Sequence, residues 1–217
     1  MTLFPDHLSV ERRYKLLTGL VVPRPIAWVS TVDDLGRANL APFSYFSIVG
    51  HAPMALSFSV AGRKPDRADK DTLRNVRPRS EGGTGEFVVS LVSRTQAPAM
   101  ARTAASLPHG ESEFSAFGVC PGASTAVCAP RVADAPASFE CRTVQTVQVG
   151  LAKVVIGEVV ALHIIDELLD ERGRVRFDRL QAVGRLAGGA YVGIDERFQI
   201  DDEGFFPTSP RFAEVQA

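Results

Sequence analysis

Arg24-Pro-Ile-Ala-Trp-Val-Ser-Thr-Val32, then Asp33-Asp-Leu-Gly-Arg37, then the stretch from Ala38 to Val49 decide how this chain is read. The first run is β-branched and aromatic, the second is a cluster of turn formers, and the third resumes the extended pattern, which together predict an antiparallel hairpin. Just beyond it, Met54-Ala-Leu-Ser-Phe-Ser-Val60 sets large residues (Met54, Leu56, Phe58, Val60) against small ones (Ala55, Ser57, Ser59) with a period of two. One face of that strand packs a core and the other leaves room. Glu86 to Val92 is a nearly continuous apolar strand. Phe139 to Val149 alternates, with Glu140, Arg142, Thr146 and Gln148 assigned outward. Leu151 to Ile165 is a long strand in which Gly157 suggests a bulge or sharp bend. Short helices are expected over Asp71 to Val76, opened by a capping residue, and over Thr95 to Ala105. From His109 to Pro136 the pattern is aperiodic and rich in Pro and Gly, so a long loop with one helical turn is expected. At least six strands and two short helices predict a mainly β chain forming a small barrel, not a doubly wound sheet.

The composition narrows the classes further. The 217 residues are 45% apolar and 23% charged, and 24 Lys and Arg against 25 Asp and Glu leave a formal charge of -1. One domain over residues 1–217 accommodates that length without a disulfide or metal staple. With no basic tract, neither nucleic acid nor an anionic membrane surface is an expected partner. The longest apolar stretches, such as Val154 to Ile165, are interrupted and fall short of the roughly 20 residues a membrane helix needs. Met1 to His7 lacks the basic start and apolar core of a secretory signal, so a cytoplasmic location is expected. Cys120, Cys128 and Cys141 form no CxxC pair and read as ordinary thiols, with no metal site. No GxGxxG, GxxxxGK[ST], HExxH or GxSxG motif is present. His163, in an apolar strand, reads as a hydrogen-bonded core residue, and His51 as a solvated loop residue.

Four segments carry candidate chemistry. In Asn39-Leu-Ala-Pro-Phe-Ser-Tyr-Phe46, Pro42 marks an edge, bulge or strand exit where backbone amides are free to meet a ligand. The small-residue face of Ser57 and Ser59 follows. Lys70-Asp71-Thr72 opens a helix, which admits two readings: a phosphate site, or a plain cap with a solvated lysine, of which the cap is the commoner. Gly184-Arg-Leu-Ala-Gly-Gly-Ala-Tyr191 sets Arg185 among glycines that permit close backbone approach.

The order Arg24-Pro-Ile-Ala-Trp-Val-Ser-Thr31, Asn39-Leu-Ala-Pro-Phe-Ser44, Phe58-Ser59, Lys70-Asp-Thr72, Gly85-Glu-Phe-Val-Val-Ser90, Glu140-Cys141, Gly157-Glu-Val159 and Arg185-Leu-Ala-Gly-Gly resembles the flavin reductase-like family with the FMN-binding split barrel. That family includes flavoredoxins and the small reductase components of two-component monooxygenases, and the resemblance is strongest over residues 23–191. It implies a six-stranded barrel of Greek-key type with short flanking helices, a homodimer, and FMN in a groove at the subunit interface. The cofactor-binding residues it implies are Arg24, Trp28, Asn39, Leu40, Ala41, Pro42, Ser44, Ser57, Ser59, Lys70, Thr72 and Arg185. Ser57 and Ser59 would leave a flat wall for the ring, and amides of Asn39 to Ser44 would bond its polar edge. Lys70 and Thr72, with Ser59 and Arg24, would hold the phosphate; Arg185 would lie at the ring's N1–C2 edge. NADH or NADPH would dock transiently and pass hydride to the flavin, with no side chain acting as a proton-transfer catalyst. The implied function is an NAD(P)H-dependent flavin reductase, supplying a monooxygenase or another acceptor. The alternatives are an FMN electron carrier reduced by a partner and a barrel oxidoreductase with its own organic acceptor. The 109–136 loop, with Glu113-Phe114, would either gate the ring or pack as a surface excursion.

Overall fold

The computed structural model describes residues 1–61 and 69–194, and in it the decisive hairpin forms as its sequence dictates. Strand β1 (Ala27–Val32) pairs antiparallel with β2 (Ala38–Phe43), from Ala27 opposite Phe43 to Val32 opposite Ala38. The turn between them is closed by Asp33, whose carboxylate accepts the amides of Leu35 at 3.0 Å and Arg37 at 2.8 Å. Partial burial pushes that carboxyl up, yet the hydrogen bonds from Arg37 and Leu35 outweigh it and hold the group below its ordinary range.

The further strands are β3 (Phe46–His51), β4 (Met54–Val60), β5 (Glu86–Ser90), the two-residue β6 (Pro121–Gly122) and β7 (Arg131–Val132), β8 (Ala137–Val149), β9 (Ala152–Ile164), β10 (Val183–Arg185) and β11 (Tyr191–Gly193). Seven of them form one antiparallel sheet in the order β2-β1-β5-β8-β9-β4-β3. Its outermost strands, β2 and β3, are joined by only Ser44 and Tyr45. Two residues span less than about 10 Å even when extended, so the two edges of the sheet must meet at that corner. The sheet is thereby rolled into a barrel that is split along β2 and β3. The Ser59 amide donates to the Tyr45 carbonyl at 2.8 Å, carrying the β3–β4 pairing into the corner, and the Phe43 ring of β2 packs on the Phe58 ring of β4 at 5.0 Å between centroids. Seven strands stand where six were expected because the single extended stretch read from Ala38 to Val49 bends at this corner and serves both edges.

The helices are α1 (Val10–Leu20), α2 (Asp71–Asn75), α3 (Ala97–Arg102), α4 (Glu113–Phe117) and α5 (Phe177–Leu180). No described helix is long and apolar enough to cross a membrane. Two cores share β1, which is buried along its whole length. Val29, Phe58, Phe87, Val89 and Val155 fill the barrel, while Trp28, Leu40, Met100, Phe114 and Val183 pack between its outer face and α3, α4 and β10.

Gly157 is a packing requirement: a Cβ there would fall on the fully buried Phe87 ring, 2.7 Å from Cε1. The neighbouring irregularity lies on the partner strand, where the register of β8 slips between Thr143 and Gln145 beside Gly157. Glu140 corrects an expectation outright, since it is 0% exposed instead of facing outward. It lies under the segment 123–127 and accepts the amides of Thr125 (2.7 Å), Ala126 (2.5 Å) and Val127 (3.0 Å), while its other contact is His163 Nε2. Burial pushes this carboxyl up, but the bonds from His163 and the three amides prevail and hold it below the usual carboxylate range. The 109–136 segment likewise packs down: Phe114 enters the second core, and the buried Glu113 accepts the Leu40 amide at 2.8 Å.

Candidate functional site

A groove of about 590 Å³ opens at the split of the barrel. Pro42, Phe43, Ser44 and Tyr45 of the corner line it, with Ser59 from β4 and Ile26 from the approach to β1. Tyr14 and Thr18 of α1, and Met100, Ala101 and Ala104 in and after α3, form further walls. The β10–β11 turn adds Arg185, Leu186, Gly188, Gly189 and Tyr191, and Lys70 adds an ammonium. Gly188 adopts φ +59°, and a Cβ at Gly188 or Gly189 would meet nothing within 4 Å, so this turn offers bare backbone to whatever occupies the groove.

Of the twelve residues implied by resemblance, Arg24, Pro42, Ser44, Ser59, Lys70 and Arg185 come together here. The other six lie outside the lining. Trp28 is 1% exposed and donates from Nε1 to Thr103 Oγ1 at 2.9 Å, which braces α3 from behind. Leu40 is buried with its amide taken by Glu113, Ala41 packs against the barrel core, and Ser57 pairs with Ser47 and Ile156 within the sheet. Asn39 and Thr72 are buried against one another, Asn39 Nδ2 donating to Thr72 Oγ1 at 3.0 Å. A parallel bond runs from Asn75 Nδ2 to Thr31 Oγ1 at 2.9 Å. These two bonds pin α2 to β1 and β2 on the face of the barrel core, where Leu73 and Val76 also pack. Lys70 is the N-cap of α2 and makes no side-chain cap bond, while Asp71 engages Arg74 and His109. A helix of five residues has little dipole, so fixed charge at this end comes from Lys70. Burial pushes its ammonium below its ordinary pKa, as expected for a cation short of hydration.

Arg185 stacks on Tyr191, its guanidinium carbon 4.4 Å from the ring centroid, and donates to the Gly188 carbonyl. Tyr14 and Thr18 were not anticipated, although the capping Ser9, with Glu11 in the first turn of a run of helix formers, carried the signal for α1. Ala101 in the last turn of α3 and Ala104 just beyond it present small side chains that leave the groove open. The buried Cys141 thiol is pushed up to about 12, by burial and then by the Glu140 charge, and stays protonated at neutral pH.

The donor set suits one kind of occupant. Apolar and aromatic walls on several sides accept a flat ring system, and Lys70 with the Ser44 and Ser59 hydroxyls suits an anionic tail. A flat ring system with a phosphorylated side chain has this shape and charge.

The family model described as "Flavin reductase like domain" matches residues 19–179. An uncharacterized protein of Aquifex aeolicus is 41% identical over 179 residues, 82% of this chain and 88% of the relative. Nitrilotriacetate monooxygenase component B from Bacillus cereus superposes with a TM-score of 0.85 at 34% identity, over 92% of this chain and 98% of the other. The 2-nitrobenzoate 2-nitroreductase of Pseudomonas fluorescens superposes with a TM-score of 0.83 at 32% identity, over 97% and 100%.

Proposed function

The chain belongs to the flavin reductase-like domain family, and on that premise we propose that it is an FMN-binding flavoprotein working as an NAD(P)H-dependent flavin reductase. The observation that carries the reading is the groove at the barrel split, with a half-buried ammonium beside apolar walls that fit a flat ring. Bound FMN would supply two-electron chemistry between a nicotinamide donor and an acceptor. The chain's own residues would bind and orient. Lys70, Ser44 and Ser59 would hold the phosphate, Ile26, Met100 and Ala101 would exclude water from one side of the ring, and Arg185 would place positive charge near its polar edge. The similarity to a monooxygenase component B supports a partner oxygenase as the acceptor.

Two copies are the proposed working unit. Val10, Tyr14 and Leu17 recur at the helical repeat along α1, Val21 follows as its C-cap, and all four are more than half exposed. Tyr14 also lines the groove, so a second copy seated on this stripe would complete the site. Sedimentation equilibrium is expected to give twice the chain mass, and Leu17→Glu to halve it; a wild-type monomer would end this part of the reading.

The function is tested by titrating the protein with FMN and then adding NADH or NADPH anaerobically. A saturable change in the flavin spectrum followed by bleaching with one donor is expected. Binding without bleaching would favour the electron-carrier reading, and turnover of another acceptor with none of free FMN would end the reductase reading.

A further inference from the structure

Arg24 lines the groove, yet its side chain is occupied by the protein and is only 6% exposed. Nη1 donates to the Thr18 and Val21 carbonyls at the end of α1, both at 2.7 Å. Nη2 donates to the Leu186 carbonyl at 3.1 Å in the β10–β11 turn, and Nε to Ser44 Oγ at 3.4 Å at the barrel corner. Its backbone joins the same system, because Arg24 and Arg185 exchange N–H to carbonyl bonds of 3.0 and 2.8 Å. Pro23 and Pro25 on either side restrict the backbone that aims it. One fork therefore spans three walls of the groove that are distant in sequence.

The charge balance is the second observation. A guanidinium has five N–H donors and stays charged in a protein. Four are placed above, and one N–H of Nη2 has no acceptor among the described residues. Nor has Arg24 a carboxylate partner among them; its acceptors are carbonyls and a hydroxyl. The end of α1 offers only partial negative charge, and a buried cation without an anion is costly. We propose that Arg24 is the positioning residue of the flavin groove: it locks α1, the barrel corner and the β10–β11 turn in place, and its uncompensated charge favours the more negative redox form of the bound flavin. This rests on the proposed function and replaces the expectation that Arg24 is simply a phosphate donor.

The test compares Arg24→Lys, which keeps the charge without the fork, with Arg24→Gln, which loses both. Amide hydrogen exchange of the chain without flavin is measured first. Both variants are expected to exchange faster at residues 18–22 and 185–191 together, because one point donor cannot hold three segments. Unchanged exchange at both segments in Arg24→Gln overturns the positioning role, even if the protein binds no flavin. Should Arg24→Gln fail to fold, Arg24→Lys carries the same test. FMN titration follows; wild-type failure to bind would sink the functional reading separately. Affinity is expected to fall about tenfold in both variants, the scale of a charged hydrogen bond. The preference for reduced over oxidised flavin is expected to hold in Arg24→Lys and to fall about tenfold in Arg24→Gln, a potential lower by about 30 mV for a two-electron couple. Equal shifts in the two variants, or none in Arg24→Gln, overturn the role assigned to its charge.

Discussion

Glu140→Ala is expected to cost about 3–5 kcal/mol of folding stability at neutral pH, the scale of removing one member of a buried charged network. The carboxylate is fully buried and is the common acceptor for three amides of the segment 123–127 and for His163. Its removal leaves those donors without a partner, and a buried unpaired donor is costlier than a lost bond. The pH dependence has a definite sign. The folded group titrates below its ordinary range, so its stabilisation is fully present above the unfolded pKa of about 4.3 and is lost as pH falls through the lower folded value. Urea unfolding followed from pH 7 downward is expected to show a constant gap between wild type and Glu140→Ala until about pH 5. The gap then closes in acid. Glu140→Gln, which keeps the size but not the charge, is expected to fall between them. A gap independent of pH into strong acid would show that the ionised form is not what holds the segment.

Glu140 also shows where legibility in the sequence stopped. Strand alternation correctly placed it on the face opposite the barrel core, and an outer face reads as solvent unless something covers it. The cover is the aperiodic segment 123–127, whose path no local pattern encodes. The hairpin of β1 and β2, by contrast, was legible in full, because its turn chemistry and β-branched run lie in consecutive residues. The same contrast divides the site. Pro42, Ser44, Ser59 and Lys70, which line the groove, lie in segments with local signals (a strand exit, a small face and a helix start), although the helix start by itself reads more readily as a plain cap. Trp28, Asn39 and Thr72 belong to the same motifs but turn into the second core or against α2. A motif shows that residues serve one site without separating those that touch a ligand from those that brace the ones that do. Tyr14, Thr18 and Met100 required the tertiary placement of α1 and α3, which depends on side chains such as Arg24 and Trp28 reaching across the fold.

Lys70→Met is expected to weaken FMN binding about 10- to 100-fold, since a charged hydrogen bond to phosphate is worth about 1.5–3 kcal/mol. Riboflavin, which lacks the phosphate, is expected to bind the variant as well as the wild type. Equal losses for both ligands would place Lys70 away from the phosphate. Asn39 sharpens the test, because family resemblance and structure give it different tasks. If Asn39 acts through the Asn39–Thr72 bond that pins α2, then Asn39→Ala weakens FMN by letting Lys70 move. In that case the double variant binds no worse than Lys70→Met alone, because the two changes remove one interaction. If Asn39 bonds the ring directly, the two losses add and riboflavin suffers with FMN. The buried position of Asn39 and its distance-matched hydroxyl partner favour the first outcome. Asn39→Ala should therefore also melt earlier than wild type, whereas Lys70→Met should not, since the Lys70 side chain makes no cap bond to α2.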